Sequence, residues 1–198
     1  MNSRTMVRLL RFADEAFIDA ATALVAEGGP GAATCAAIAR RVGAPIGSLY
    51  HRFDSRAAIL ALAWSRIHGG FVERLAPLLE GGEARAAALA IAAWAREDLG
   101  RARFLLLNEA GALFEDGPPP ALMQEIGAQE AALDRAFLAG AALTGDVEDA
   151  GHVAWLRFAV FDGPIALLRP HLLAGAVPPD WVDPLIRALH RTPEGLGR

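Results

Sequence analysis

Apolar positions recur every three to four residues along almost the whole chain, the period of helices with one buried face. Phe17, Ala21, Leu24 and Val25 predict a first helix from about Ala13 to Glu27, stopped by Gly28-Gly29-Pro30-Gly31. Ile38, Ala39 and Val42 predict a short second helix after Thr34, whose hydroxyl suits a helix start. Gly43 follows, where helices end in a left-handed residue. Pro45 restarts the chain, and Leu49 and Phe53, four apart, give a third helix one inward face. A fourth, long helix is predicted from Ser55 to about Leu79, with Ile59, Leu60, Trp64, Ile67, Phe71 and Leu75 buried. Gly69-Gly70 within it marks either a kink or a close helix contact.

Further helices are predicted over 83–99, 102–115, 121–143, 147–173 and 181–191, separated by Gly81-Gly82, Gly100, Asp116-Gly117-Pro118-Pro119-Pro120, Thr144-Gly145-Asp146 and Pro178-Pro179. Pro164 must kink the 147–173 helix, because it lacks an N–H and crowds the carbonyl of Val160. Ala and Leu abound while Val, Ile and Tyr are sparse, which favours helix over strand. The expected fold is all-α, with about nine helices.

The stretch Thr34–Phe53 carries the strongest functional signal. Two short helices joined by a tight Gly-containing turn make a helix-turn-helix, whose second helix enters a DNA major groove. With Leu49 and Phe53 inward, Ile46, Gly47, Ser48, Tyr50, His51 and Arg52 face out. Small residues let the helix approach closely, while Tyr50, His51 and Arg52 can reach phosphates or base edges. Thr34, Ile38-Ala39, Gly43, Gly47-Ser48-Leu49-Tyr50-His51, Phe53 and Arg56 resemble the signature of the tetracycline-repressor (TetR/AcrR) family of bacterial transcription regulators. The likeness covers about the first quarter of the chain. Pro45 departs from it, standing where the family usually has a Ser or Thr cap, so a bond of about 1 kcal/mol is missing. Ile46 departs too, replacing a polar or basic residue with one suited to a thymine methyl.

The resemblance implies a three-helix DNA-binding unit over residues 1–54 and a ligand-sensing, dimerising unit over 55–198. Its DNA-binding residues would be Thr34, Pro45, Ile46, Gly47, Ser48, Tyr50, His51, Arg52 and Arg56. The partners implied are an inverted-repeat double-stranded DNA operator, a second copy of the chain and a small-molecule effector.

Charge agrees in sign with this division. The chain carries −4 overall, but residues 1–56 carry +2 and the remainder −6. Arg4, Arg8 and Arg11 form a basic arm at the start, suited to a minor groove or to phosphates. Cys35, the only cysteine, excludes an internal disulfide and suits a reducing cytoplasm. No signal peptide is expected, and no apolar run approaches the ~18 residues of a membrane span.

Catalytic chemistry finds no support. The five His lack a His-Glu-x-x-His spacing, a second Cys for zinc is absent, and no Gly-rich loop follows a strand. No metal or cofactor is expected. The aromatic excess after residue 55 suggests instead an effector pocket lined by Trp64, His68, Trp94, Phe104, Asn108, Phe114, Met123, Phe137, Trp155 and Phe158. The 147–173 helix is apolar around most of its circumference. It and the last helix therefore predict a two-fold dimer through Leu156, Phe161, Leu167, Leu168, Leu185, Ile186 and Leu189. The rival reading is a helical small-molecule-binding or enzyme-like protein that has lost operator binding, given the modest +2 and the apolar Ile46.

Overall fold

The computed structural model describes residues 14–114 and 117–191. Among these residues every regular element is a helix. The basic arm expected over residues 1–11, the end of the 102–115 helix and the tail from Thr192 lie outside the described residues.

Three short helices open the described chain: α1 (Asp14–Gly28), α2 (Cys35–Val42) and α3 (Ile46–Tyr50), with a single 3-10 turn at Pro30–Ala32. Phe17, Ile18 and Ala21 of α1, Ile38 of α2 and Leu49 of α3 are buried together, and Phe53 meets Phe17 edge-on at 5.9 Å. Ser55 then caps α4 (Arg56–Glu80), its hydroxyl accepting from the Ala58 N–H at 3.0 Å. At 25 residues α4 is about 37 Å long.

α4 runs unbroken through Gly69-Gly70, so of the two readings of that pair the close contact is the one found. A Cβ on Gly69 would stand 3.0 Å from Gln129 Nε2 on α8 (Pro120–Thr144), whereas one on Gly70 would meet nothing within 4 Å. α8 approaches α4 again at Gly140, where a Cβ would fall 2.0 Å from the Leu79 carbonyl oxygen. Gly140, facing backbone, therefore sets the closest approach of this helix pair, while Gly69 faces the end of the Gln129 side chain.

Between them come α5 (Ala84–Glu97), α6 (Leu99–Leu106) and α7 (Ala110–Leu113). The single helix expected over 102–115 is split here. Asn108 turns its side chain back to donate to the carbonyls of Phe104 (2.9 Å) and Arg103 (3.3 Å), which ends α6. The break expected at Gly100 falls instead at Asp98, whose carboxylate accepts from the Arg101 N–H and starts α6.

The expected 147–173 helix is found as α9 (Ala150–Arg157) and α10 (Gly163–Leu173), joined by a π turn at Phe158–Asp162. Gly163 N–H reaches back five residues to the Phe158 carbonyl. The widened turn lies immediately before Pro164, where the ring would otherwise press on the preceding turn. Finally α11 (Val182–Leu189) lies across α5 and α10. Arg96 of α5 holds it there, donating to the carbonyls of Pro178 and Pro179 and to the Asp183 carboxylate at 2.7 Å. Among the described residues no helix is long and apolar enough to cross a membrane.

Candidate nucleic-acid interface and effector region

Thr34 starts α2 by accepting from the Ala37 N–H at 3.1 Å, a cap that stabilises a helix by about 1 kcal/mol. Gly43 ends it at φ 73°, ψ 24°, and the Ala44 N–H closes the turn on the Ala39 carbonyl. That left-handed residue lets the chain reverse within two positions. Pro45 then stands before α3 without a side-chain cap bond. The result is an outward row on α3. Ile46 is 45% and Tyr50 58% exposed, Gly47 and His51 are exposed, and Ser48 is half-buried.

Gly47 is the informative member. Its φ is not positive, and a Cβ there would meet nothing within 4 Å. Nothing within the chain therefore requires glycine at this position.

Tyr50 sits against the Cys35 thiol at the start of α2. The neighbouring thiol holds its hydroxyl above the ordinary phenol pKa. The Cys35 side chain is half-buried.

The basic residues depart from expectation. Arg56 does not face outward with the reading row. Its Nε donates to the Ala33 carbonyl at 3.0 Å and a terminal nitrogen donates to the Pro30 carbonyl at 2.6 Å. Arg56, expected among the DNA-binding residues, is thus placed in two main-chain bonds within the chain. An Arg fork spent on two carbonyls ties the start of α4 to the α1–α2 connection. Arg52 is also engaged, in an ion pair with Asp14 at the start of α1. Arg41 forms a two-pronged pair with Glu27, which holds that carboxyl below its usual range. Arg40 is the exposed cation of this unit with no ion pair among the described residues.

The residues expected to line one effector pocket fall into separate groups. Trp64, His68, Phe104 and Phe114 do come together, with ring centroids 6.0–6.2 Å from Trp64. Trp94 instead pairs with Phe71 at 5.1 Å. Phe137 pairs with Phe161 and lies under the Arg157 guanidinium. Trp155 stacks near His152. Met123 and Phe158 are exposed, at 44% and 49%, and Asn108 is spent on ending α6. Helical period tells which side of a helix is apolar, but not which neighbour it meets.

Sequence reasoning missed the polar seam beside Trp64. Buried Ser65 donates to Glu125 at 2.5 Å, and Gln129 donates to both the Ser65 carbonyl and its hydroxyl at 3.1 Å. His68 Nδ1 lies 3.2 Å from Gln129 Oε1. A Ser and a His on the inward side of α4 were the available signal. Trp64 Nε1 is buried with no hydrogen-bond partner among the described residues.

The dimer residues also divide. Leu156, Leu168 and Ile186 are buried within the chain, so they are corrected to core. Phe161, Leu167 and Leu189 are half-buried and Leu185 is 43% exposed. Outward-facing Phe158, Leu173 and Trp181 stand on the same helices or beside them.

Residues 17–63 match the family model described as bacterial regulatory proteins, tetR family. Among curated proteins nothing matches. Among solved structures the chain is similar to a TetR transcriptional regulator from Rhodococcus sp. RHA1. The identity is 17%, covering 92% of this chain and 94% of that one, with a TM-score of 0.42.

Proposed function

We propose, because residues 17–63 match the tetR family model, that this chain is a DNA-binding regulator of that family and acts as a cytoplasmic homodimeric repressor. In this reading residues 1–54 grip an inverted-repeat operator, and residues 55–198 dimerise and sense a small apolar effector. The observation that carries the DNA reading is the exposed row on α3, with Gly47 unconstrained from within the chain. Ile46, Gly47 and Ser48 come nearest the base edges, and Tyr50 and His51 hold the backbone. With Arg41, Arg52 and Arg56 engaged internally, phosphate contacts fall to Arg40, to main-chain N–H groups and to the basic arm of residues 1–11.

Effector binding is read at the Trp64 cluster. An apolar molecule with one acceptor would satisfy the Trp64 N–H, and the polar seam to α8 would shift with it. α4 carries the change to the reading unit, because Arg56 joins its first turn to the α1–α2 connection. The ligand acts by binding better to the form whose two reading helices are wrongly spaced.

Fluorescence anisotropy with the intergenic DNA beside the gene tests this reading. Saturable binding that weakens steeply with salt, to a site with two-fold symmetry, is the expected result. A second reading, a helical binding protein without an operator, is favoured by the internal engagement of those three arginines. No preference for that DNA over random duplex would establish it.

A further inference from the structure

Beyond the reading helix and the Trp64 cluster, a cleft of about 870 Å³ opens at the end of α4 opposite the DNA-reading unit. Its walls come from the start of α5, the end of α8, α9 and α11. The chemistry of the walls is uneven. Residues after position 56 carry a net −6, yet this cleft gathers Arg85, Arg187, His152 and His190 against one carboxylate, Glu83. Arg85 and Arg187 form no ion pair among the described residues, like Arg103, Arg135, Arg169 and Arg191 and unlike Arg66, Arg74, Arg96, Arg101 and Arg157. His190 Nε2 is buried without a hydrogen-bond partner among the described residues. Trp155 and Leu89 supply an apolar surface between these polar groups.

We propose that this cleft binds an amphipathic organic acid, its carboxylate held by Arg85 and Arg187 and its apolar part lying on Trp155 and Leu89. Arginine forks suit a carboxylate, and two cations without ion pairs lining one cleft, from α5 and α11, favour an anion over a neutral ligand. The volume lies within the range of small-molecule sites. The inference stands apart from DNA reading, and its test contains no DNA.

His190 adds a pH signature. Burial, then a neighbouring backbone carbonyl acting the other way, then Arg85 leave its pKa below the ordinary histidine value. Facing the same cleft are Glu83 and Arg85 of α5, His152 of α9 and Arg187 of α11. A bound carboxylate offsets the cationic field and favours the protonated ring, so binding tightens as pH falls through the histidine range.

The test is calorimetric titration of the full chain with octanoate, 1-octanol and inorganic phosphate. Octanoate should bind at least about ten-fold more tightly than 1-octanol. Arg85→Gln/Arg187→Gln should lower octanoate affinity about ten-fold or more and leave 1-octanol unchanged. Octanoate should bind more tightly at about pH 6 than at about pH 8, and His190→Gln should flatten that difference. Equal affinity for octanoate and 1-octanol overturns the proposal. So does unchanged octanoate binding by the folded double variant, or phosphate binding as tight as octanoate. If the double variant does not fold, the wild-type comparison of the three ligands decides alone.

Discussion

Arg56→Ala separates a clamp from a DNA contact. The side chain makes two charge-assisted bonds to main-chain carbonyls, at 3.0 Å to Ala33 and 2.6 Å to Pro30. Bonds to a charged group contribute about 1.5–3 kcal/mol each where water is excluded. Here the guanidinium is only half-buried, so water can re-solvate the freed carbonyls, and about 2 kcal/mol in total is the better figure. For a chain near 200 residues, 1 kcal/mol moves the melting midpoint by about 2–4 °C, so a fall of about 4–8 °C is expected. Arg56→Lys keeps the charge but not the fork, and should lose most of the same stability. Calorimetric melting reads the first effect. The slope of log affinity for operator against log salt, measured well below the melting midpoint, should match wild type for both variants. A phosphate contact would instead lower that slope by about one for each reading unit. Full thermal stability together with a reduced slope would refute the clamp.

Further outcomes follow from the helix contacts. Gly140→Ala gains about 1 kcal/mol of helix propensity, but its Cβ would lie 2.0 Å from the Leu79 carbonyl oxygen, a backbone atom that cannot swing aside. Overpacking of about 1–3 kcal/mol or more therefore wins, and the variant should melt lower, while Gly127→Ala, with nothing within 4 Å, should melt no lower than wild type. Gly69→Ala should disturb effector release of DNA more than Gly70→Ala does, because only the first crowds Gln129 in the seam to Ser65 and His68. Equal induction curves for the two variants would remove α4 as the lever. Leu185→Glu should leave the chain folded but monomeric by sedimentation at micromolar concentration, since the side chain is 43% exposed within the chain. An intact dimer would move the interface elsewhere.

The N-terminal elements were legible because their signals are local. Thr34 is the cap it was expected to be, Gly43 adopts the left-handed geometry, and Ser55 opens α4. All-α architecture followed from period and composition for the same reason. What could not be read depends on partners distant in sequence. Arg56 meets Pro30 and Ala33 across more than twenty residues, and no pattern near Arg56 marks those carbonyls. Asn108 reads as a polar pocket residue until its donors are seen closing α6. Buried Ile186 stands next to outward-facing Leu185 on α11, and only the packing of α11 against α5 separates core from surface. The Ser65–Glu125–Gln129 seam joins helices sixty residues apart.

The central claim is that the outward row of α3 reads DNA, and Gly47→Leu tests it most directly. The chain itself has open space at that position, so the variant should keep wild-type circular dichroism and melting. The added side chain would stand where the helix must approach the groove floor. Specific operator binding should therefore be lost, leaving only weak, steeply salt-dependent association with any duplex. A folded Gly47→Leu variant that binds operator as tightly and as selectively as wild type would contradict the account.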